Sequence, residues 1–166
     1  MLRRLVYCFV GPAFLILSAC QEYDFKVNDK IVYAPKPLFR DYAIPDTGLN
    51  DCVKQAINDG TITTAPQLMS LDCSFAGIES LEGLSIFTGL KALRLSANQV
   101  RNLVELSQMA TLEALYLDDN QIIDPVPLYG LAGLRELDLS GNPNLQCPKP
   151  GSLTQVASMV LPQHCR

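Results

Sequence analysis

Histidine is nearly absent from this sequence: His164, beside Cys165, is the only one. A lone imidazole next to a cysteine near the C-terminus reads as a cap residue, not as a general base. No G-x-S-x-G elbow is present to present a serine nucleophile. No phosphate-cradling G-x-x-x-x-G-K-[ST], no G-x-G-x-x-G and no H-E-x-x-H occur either. The run Asp118-Asp119-Asn120 with Asp124 lacks the spacing and the glycine of a calcium loop. Basic residues are also in short supply, 13 against 17 acidic ones. Without residues 1–19, which carry Arg3 and Arg4, the balance is 11 against 17, a net of −6. That excludes nucleic acid, which needs a basic patch, and electrostatic docking on an anionic surface. The longest apolar run, residues 5–17, is interrupted by Gly11 and Pro12 and is too short for a spanning helix. No catalytic residue, cofactor or metal is expected.

What the sequence has is a repeat. Leu68, Leu90, Leu112 and Leu134 recur every 22 residues. Each opens one phrase, L-x-x-L-x-L-x-x-N-x-I: LKALRLSANQV from Leu90, LEALYLDDNQI from Leu112 and LRELDLSGNPN from Leu134. The copy from Leu68, LMSLDCSFAGI, is degenerate. Leu93 and Leu95 flank Arg94, Leu115 and Leu117 flank Tyr116, and Leu137 and Leu139 flank Asp138. Period-2 alternation places the leucines on one face of a short strand and the intervening residues on the other. One such strand cannot bury its apolar face alone, so copies must stack. The second half of each unit carries Leu103, Leu106 and Met109, then Pro125, Leu128 and Leu131. These predict a loose or short helical return, and Pro125 and Pro127 argue against a full α-helix in the third copy. Asn98, Asn120 and Asn142 are also 22 apart. An inward amide there can pair with the backbone freed where the chain leaves the strand.

These phrases resemble the 22-residue leucine-rich repeats of internalin-like proteins. The resemblance implies an α/β solenoid: a short right-handed horseshoe of four repeats over residues 68–146. Parallel strands would line its concave face. Its ends need caps. Residues 46–67 are expected to supply the first. Leu49, Cys52, Val53, Ala56 and Ile57 share a helix face, Asp46 or Thr47 can cap it, and Gly60 suits its exit. Thr61-Ile62-Thr63 reads as a short strand. Residues 147–166 are expected to supply the second cap, with a helix over 152–160 that turns Leu153, Val156, Ala157 and Val160 inward and ends at Pro162.

The first residues read as a lipoprotein signal peptide, 1–19: Arg3 and Arg4, the apolar run, then Leu17-Ser18-Ala19-Cys20. The last four resemble the bacterial lipobox, which implies cleavage before Cys20 and its lipidation, palmitate included. Several acyl chains would anchor the protein firmly. Gln21, not Asp, follows the cysteine, and by the rule of that family the destination is the outer membrane. Residues 20–45 carry Pro35, Pro37 and Pro45 and no sustained periodicity. They read as a tether, with Ile31-Val32-Tyr33 a weak strand candidate.

Cys8 lies in the signal peptide and Cys20 at the lipidation site, which leaves Cys52, Cys73, Cys147 and Cys165. An even number in an exported protein reads as two disulfides. Three pairings are open to sequence, and the repeat register favours one. Cys73 stands where Leu95, Leu117 and Leu139 stand, with Cys52 just upstream. Cys147 and Cys165 both follow the last full strand. Cys52–Cys73 and Cys147–Cys165 are therefore expected. A zinc site from Cys147, His164 and Cys165 has too few ligands to be a closed structural site.

The outward strand residues form the candidate binding face. Its central column reads Asp72, Arg94, Tyr116, Asp138, with Asp118 and Glu136 beside it. Tyr116 with Arg94 is the kind of pair enriched in binding hot spots. As a whole the chain resembles a leucine-rich repeat lipoprotein of the bacterial envelope. That implies a membrane-anchored, non-catalytic module that binds an as yet unknown protein partner. The alternative is a structural envelope lipoprotein that binds glycan or peptidoglycan, against which the lack of an aromatic platform counts.

Overall fold

The computed structural model describes residues 25–27 and 30–33 as backbone, and residues 36–166 with their side chains. The signal peptide and Cys20 lie outside the described residues. The chain divides into two units, residues 1–36 and 37–166. In the first, β1 (Phe25–Val27) pairs antiparallel with β2 (Lys30–Tyr33). A hairpin thus stands inside the stretch read as a tether, and it includes the Ile31–Val32–Tyr33 triplet.

The second unit opens with a strap that sequence reading also assigned to the tether. Residues 37–45 lie on the folded core. Ile44 is buried, and Leu38, Phe39 and Tyr42 pack against the core. Phe39 and Tyr42 stack at 5.8 Å, and both contact the buried Phe87, at 6.0 and 5.6 Å. The Phe39 N–H donates to the Ile62 carbonyl at 2.8 Å. Gly83, at φ +86°, brings its backbone against the Ala43 carbonyl, where a β-carbon would overlap. An extended strap has neither helical nor strand periodicity, so nothing in its sequence set it apart from a tether.

Helix α1 (Thr47–Asp59) follows. The Asp46 carboxylate accepts from the Leu49 N–H at 2.9 Å, and Gly60 closes the helix. Leu49, Val53 and Ile57 are buried, while Cys52 and Ala56 of the same face are half-buried. The helix lies against β3 (Ser70–Asp72). Residues 61–63 form no strand. Thr61 turns at φ +48°, and Ile62 serves the strap instead.

After β3 come β4 (Ala92–Arg94), β5 (Ala114–Tyr116), β6 (Glu136–Asp138) and β7 (Ser158–Val160), one parallel sheet in chain order. Pairing follows the repeat: Ser70 faces Ala92, then Ala114, Glu136 and Ser158. Leu71, Leu93, Leu115 and Leu137 point inward, each buried. A fully buried leucine contributes about 1.5–3 kcal/mol, so the stack is held by the column. The chain returns through short 3-10 turns, Leu84–Ile86, Val104–Gln108 and Val126–Leu128. Leu84, Leu106 and Leu128 are their buried residues, and Pro125 and Pro127 fit a turn that a longer helix would not admit.

The asparagine column turns inward. Asn98 Nδ2 donates to the Cys73 and Leu95 carbonyls, both at 2.9 Å, and its Oδ1 accepts from the Ala76 and Ile78 N–H groups at 3.0 Å. Asn120 and Asn142 repeat this one rung later. Each donates to a carbonyl at the end of the preceding strand and accepts from an N–H in the turn of that same preceding repeat, Val100 for Asn120 and Ile122 for Asn142. Each amide thereby satisfies buried backbone that the departing strand leaves free.

The C-terminal cap departs from expectation. Residues 152–160 form turns and then β7, a fifth strand, in place of a helix. Leu153 is buried, Val156 is half-buried, and Ala157 and Val160 are exposed. Val156, Met159 and Leu161 stand 22 residues after Leu134, Leu137 and Leu139, so the repeat continues where helical spacing seemed to take over. The two disulfides join Cys52 to Cys73 and Cys147 to Cys165. The first ties α1 to the residue after β3. The second ties the loop after β6 to the 3-10 turn Gln163–Cys165. One cap is therefore a stapled helix and the other a stapled strand.

Candidate functional site

The sheet exposes one side chain of each strand residue that does not enter the core, and the parallel register aligns them across repeats. Three residues of the central column are linked, and the line ends on Glu136 beside it. Arg94 Nε lies 3.6 Å from Asp72 Oδ2, and the Arg94 guanidinium sits 4.0 Å above the centre of the Tyr116 ring. The Tyr116 hydroxyl donates to Glu136 Oε2 at 2.6 Å. Four side chains from β3, β4, β5 and β6 thus form one continuous line. The cation over the ring is attracted by its π-face. The arginine plane is held from two sides, which reduces the rotamer freedom lost when a partner arrives.

The hydrogen bond to Glu136 raises the Tyr116 phenol above its ordinary range, with burial and the Glu136 and Asp138 charges adding to it and Arg94 opposing. The phenol is therefore a donor at neutral pH. The remaining predicted residues attach beside this line. Asp118 Oδ1 accepts from the Ser96 hydroxyl at 2.6 Å. Asp138 Oδ1 accepts from the Ser140 hydroxyl at 2.6 Å and from its N–H at 2.8 Å, and Asp72 makes the same pair of contacts with Ser74. The structure links Asp72, Arg94, Tyr116 and Glu136 directly, and sets Asp118 and Asp138 against serines of the adjoining column. Next to them Lys91 Nζ pairs with Glu113 at 2.9 Å.

Two residues of this face were not singled out by sequence. Phe75 is 83% exposed and Met69 57% exposed. They bracket β3, one at each end. Phe75 also has a left-handed backbone, φ +58°, as do Ala97, Asp119 and Gly141 at the same position of the later repeats. Gly141, within Ser140-Gly141-Asn142, was the signal for that conformation: glycine marks the turn.

At the C-terminal end Cys147, His164 and Cys165 bring their ligand atoms within 4.8 Å of one another. The two cysteines are bonded to each other, so neither offers a thiolate, and His164 Nε2 lies 2.9 Å from the Leu145 carbonyl. The donor set does not fit a zinc ion. Asp124 accepts from the Val126 N–H and Asn120 faces inward, so these two do not join Asp118 around a cation.

No protein-family model matches the sequence, and no curated protein is similar to it. Solved structures are. An internalin from Listeria monocytogenes, InlF, aligns with a TM-score of 0.65 and 28% identity over 72% of this chain. A second internalin from the same organism, internalin C2, aligns over 51% with 32% identity and a TM-score of 0.48. The chain spans 37% of the length of each. The fold is an internalin-like leucine-rich repeat fold.

Proposed function

We propose that this chain is a non-catalytic protein-binding module of the bacterial envelope, a short leucine-rich repeat horseshoe held to the membrane by a lipid on Cys20. Its contact surface is the concave strand face, centred on Tyr116 and Arg94. One observation carries the reading: the line from Asp72 through Arg94 and Tyr116 to Glu136 crosses four strands. Tyrosine and arginine are among the residues enriched in interface hot spots, and here both are oriented before any partner binds. Anchoring and envelope location rest on the lipobox-like Leu17-Ser18-Ala19-Cys20 and the apolar run before it.

In-cell photo-crosslinking tests the face. A photoreactive residue replaces Tyr116 in one strain and the convex-side Gln108 in another. A discrete protein adduct from position 116 and none from 108 is expected. Adducts from 108 alone would place binding on the other side of the solenoid. No adduct from either, with retention of the purified protein on peptidoglycan sacculi, would shift the reading to the glycan-binding alternative.

A further inference from the structure

We propose that Phe75 is the anchor of this face and that the segment it seizes is extended and cationic, with an aliphatic side chain three residues from a lysine or arginine. The proposal rests on the reading of the strand face as a protein-binding surface. Position 75 is the place where each repeat turns out of its strand in the left-handed region, with φ values of 58°, 55°, 53° and 68° at Phe75, Ala97, Asp119 and Gly141. Glycine, asparagine and aspartate accept that conformation most readily. Phenylalanine is a poor choice there, and its ring gains nothing from the fold, because it is 83% exposed. Local rules are broken in this way at functional sites. Met69, 57% exposed at the other end of β3, widens the apolar edge.

The charge of the face defines the rest of the occupant. Its columns hold three cations, Lys91, Arg94 and Arg135. Lys91 is paired with Glu113, Arg94 with Asp72, and Arg135 donates to the Ala132, Leu134 and Gln155 carbonyls. Asp118, Asp119, Glu136 and Asp138 have no cationic partner among the described residues. The face therefore runs from an apolar edge at β3 to uncompensated negative charge at β5 and β6, and suits a partner of opposite sign. Phe75 and Asp119 share one column, with only the small Ala97 between them. Two strand spacings separate them by about 10 Å, and a segment in the extended polyproline II conformation, with three residues per turn and about 3.1 Å per residue, returns a side chain to the same face after about that distance. This sets the aliphatic-to-cation spacing.

The test titrates the full-length protein, in uncharged detergent, with fluorescent extended peptides. One carries leucine and arginine three residues apart, one replaces the arginine by glutamate, and one replaces the leucine by serine. The first should bind about tenfold tighter than either other, and its affinity should fall with added salt. F75G should lose about tenfold in affinity for it while its Tm stays level or rises, since glycine relieves the left-handed position. D119N should weaken both peptides that carry the arginine and leave the glutamate one no weaker. Equal binding of the charge-inverted peptide, undiminished binding by F75G, or no binding at all would overturn the proposal. Tyr116 crosslinking in cells separates the two failures. An adduct that persists in F75G keeps the protein-binding reading and removes Phe75 from it. No adduct in the unmodified chain removes the reading itself.

Discussion

Asp46 joins two parts of the N-terminal cap with one carboxylate. Its Oδ1 accepts from the Leu49 N–H at 2.9 Å, and its Oδ2 accepts from the Glu79 and Ser80 N–H groups at 2.9 and 3.0 Å. Burial by itself raises the carboxyl pKa. The N–H groups of Leu49, Glu79, Ser80 and Gly48 outweigh it and hold the group below its ordinary value. A depressed folded-state pKa gives stability that is present above the unfolded value, roughly 4, and lost as pH falls through the folded one. Asp46→Ala should therefore cost about 1–2 kcal/mol at pH 7, and the gap from the unmodified protein should narrow below about pH 4. Urea unfolding at both pH values measures it, and an undiminished gap in acid would show that charge has no part in the cap. Half of this arrangement was legible: an aspartate before an amphipathic helix is a cap signal. The other half was not, because Glu79 and Ser80 lie 33 and 34 residues away and nothing local marks them. The asparagines read more completely, since their partners recur at the same offset in every repeat.

At the scale of elements, repeat register and helical periodicity competed over residues 152–160. Leu153, Val156, Ala157 and Val160 fit one helix face, while Val156, Met159 and Leu161 fit the repeat. The register prevails because β6 presents a template: the Ala157 and Ser158 N–H groups both donate to the Arg135 carbonyl, at 2.8 and 2.9 Å, and Leu139 donates to Val160 at 2.9 Å. β7 is the edge of this sheet and all three of its residues are exposed. Little apolar burial holds it, so the Cys147–Cys165 bond, 18 residues apart in sequence, carries a large share. In the chain-entropy account a loop of that size contributes about 3 kcal/mol. Replacing both cysteines by serine should speed hydrogen exchange at the β7 and β6 amides first, with β4 protected as before. Uniform acceleration across the sheet would show that the staple stabilises the whole solenoid instead of its end. The strap over residues 37–45 was illegible for a related reason. Its partners, Phe87, Ile62 and Gly83, become neighbours only after the repeats stack.

For the whole molecule, position decides what a modest binding face can achieve. The linked line runs from β3 to β6, so the proposed partner would meet a small surface, and area alone does not set affinity. Restricting both molecules to one membrane raises their effective concentration without any new contact. The proposed anchor is thus part of the binding mechanism. One acyl chain binds marginally and two bind stably, so a multiply acylated Cys20 should keep the protein in the membrane fraction through salt and carbonate washes. Cys20→Ser removes the acceptor thiol. The protein should then appear in the soluble fraction, folded, and the Tyr116 crosslink should fall even though the strand face is untouched. Gln21→Asp supplies the residue that retains lipoproteins at the inner membrane, and should move the protein there with its lipid intact. If the crosslink is lost in the Cys20→Ser strain and also in the Gln21→Asp strain, the partner belongs to the outer membrane. If Gln21→Asp keeps it, anchoring matters for concentration alone. A Cys20→Ser protein that remains in the membrane fraction, with no acyl mass lost from the unmodified chain, would remove the lipid anchor from the proposal and leave the binding face standing.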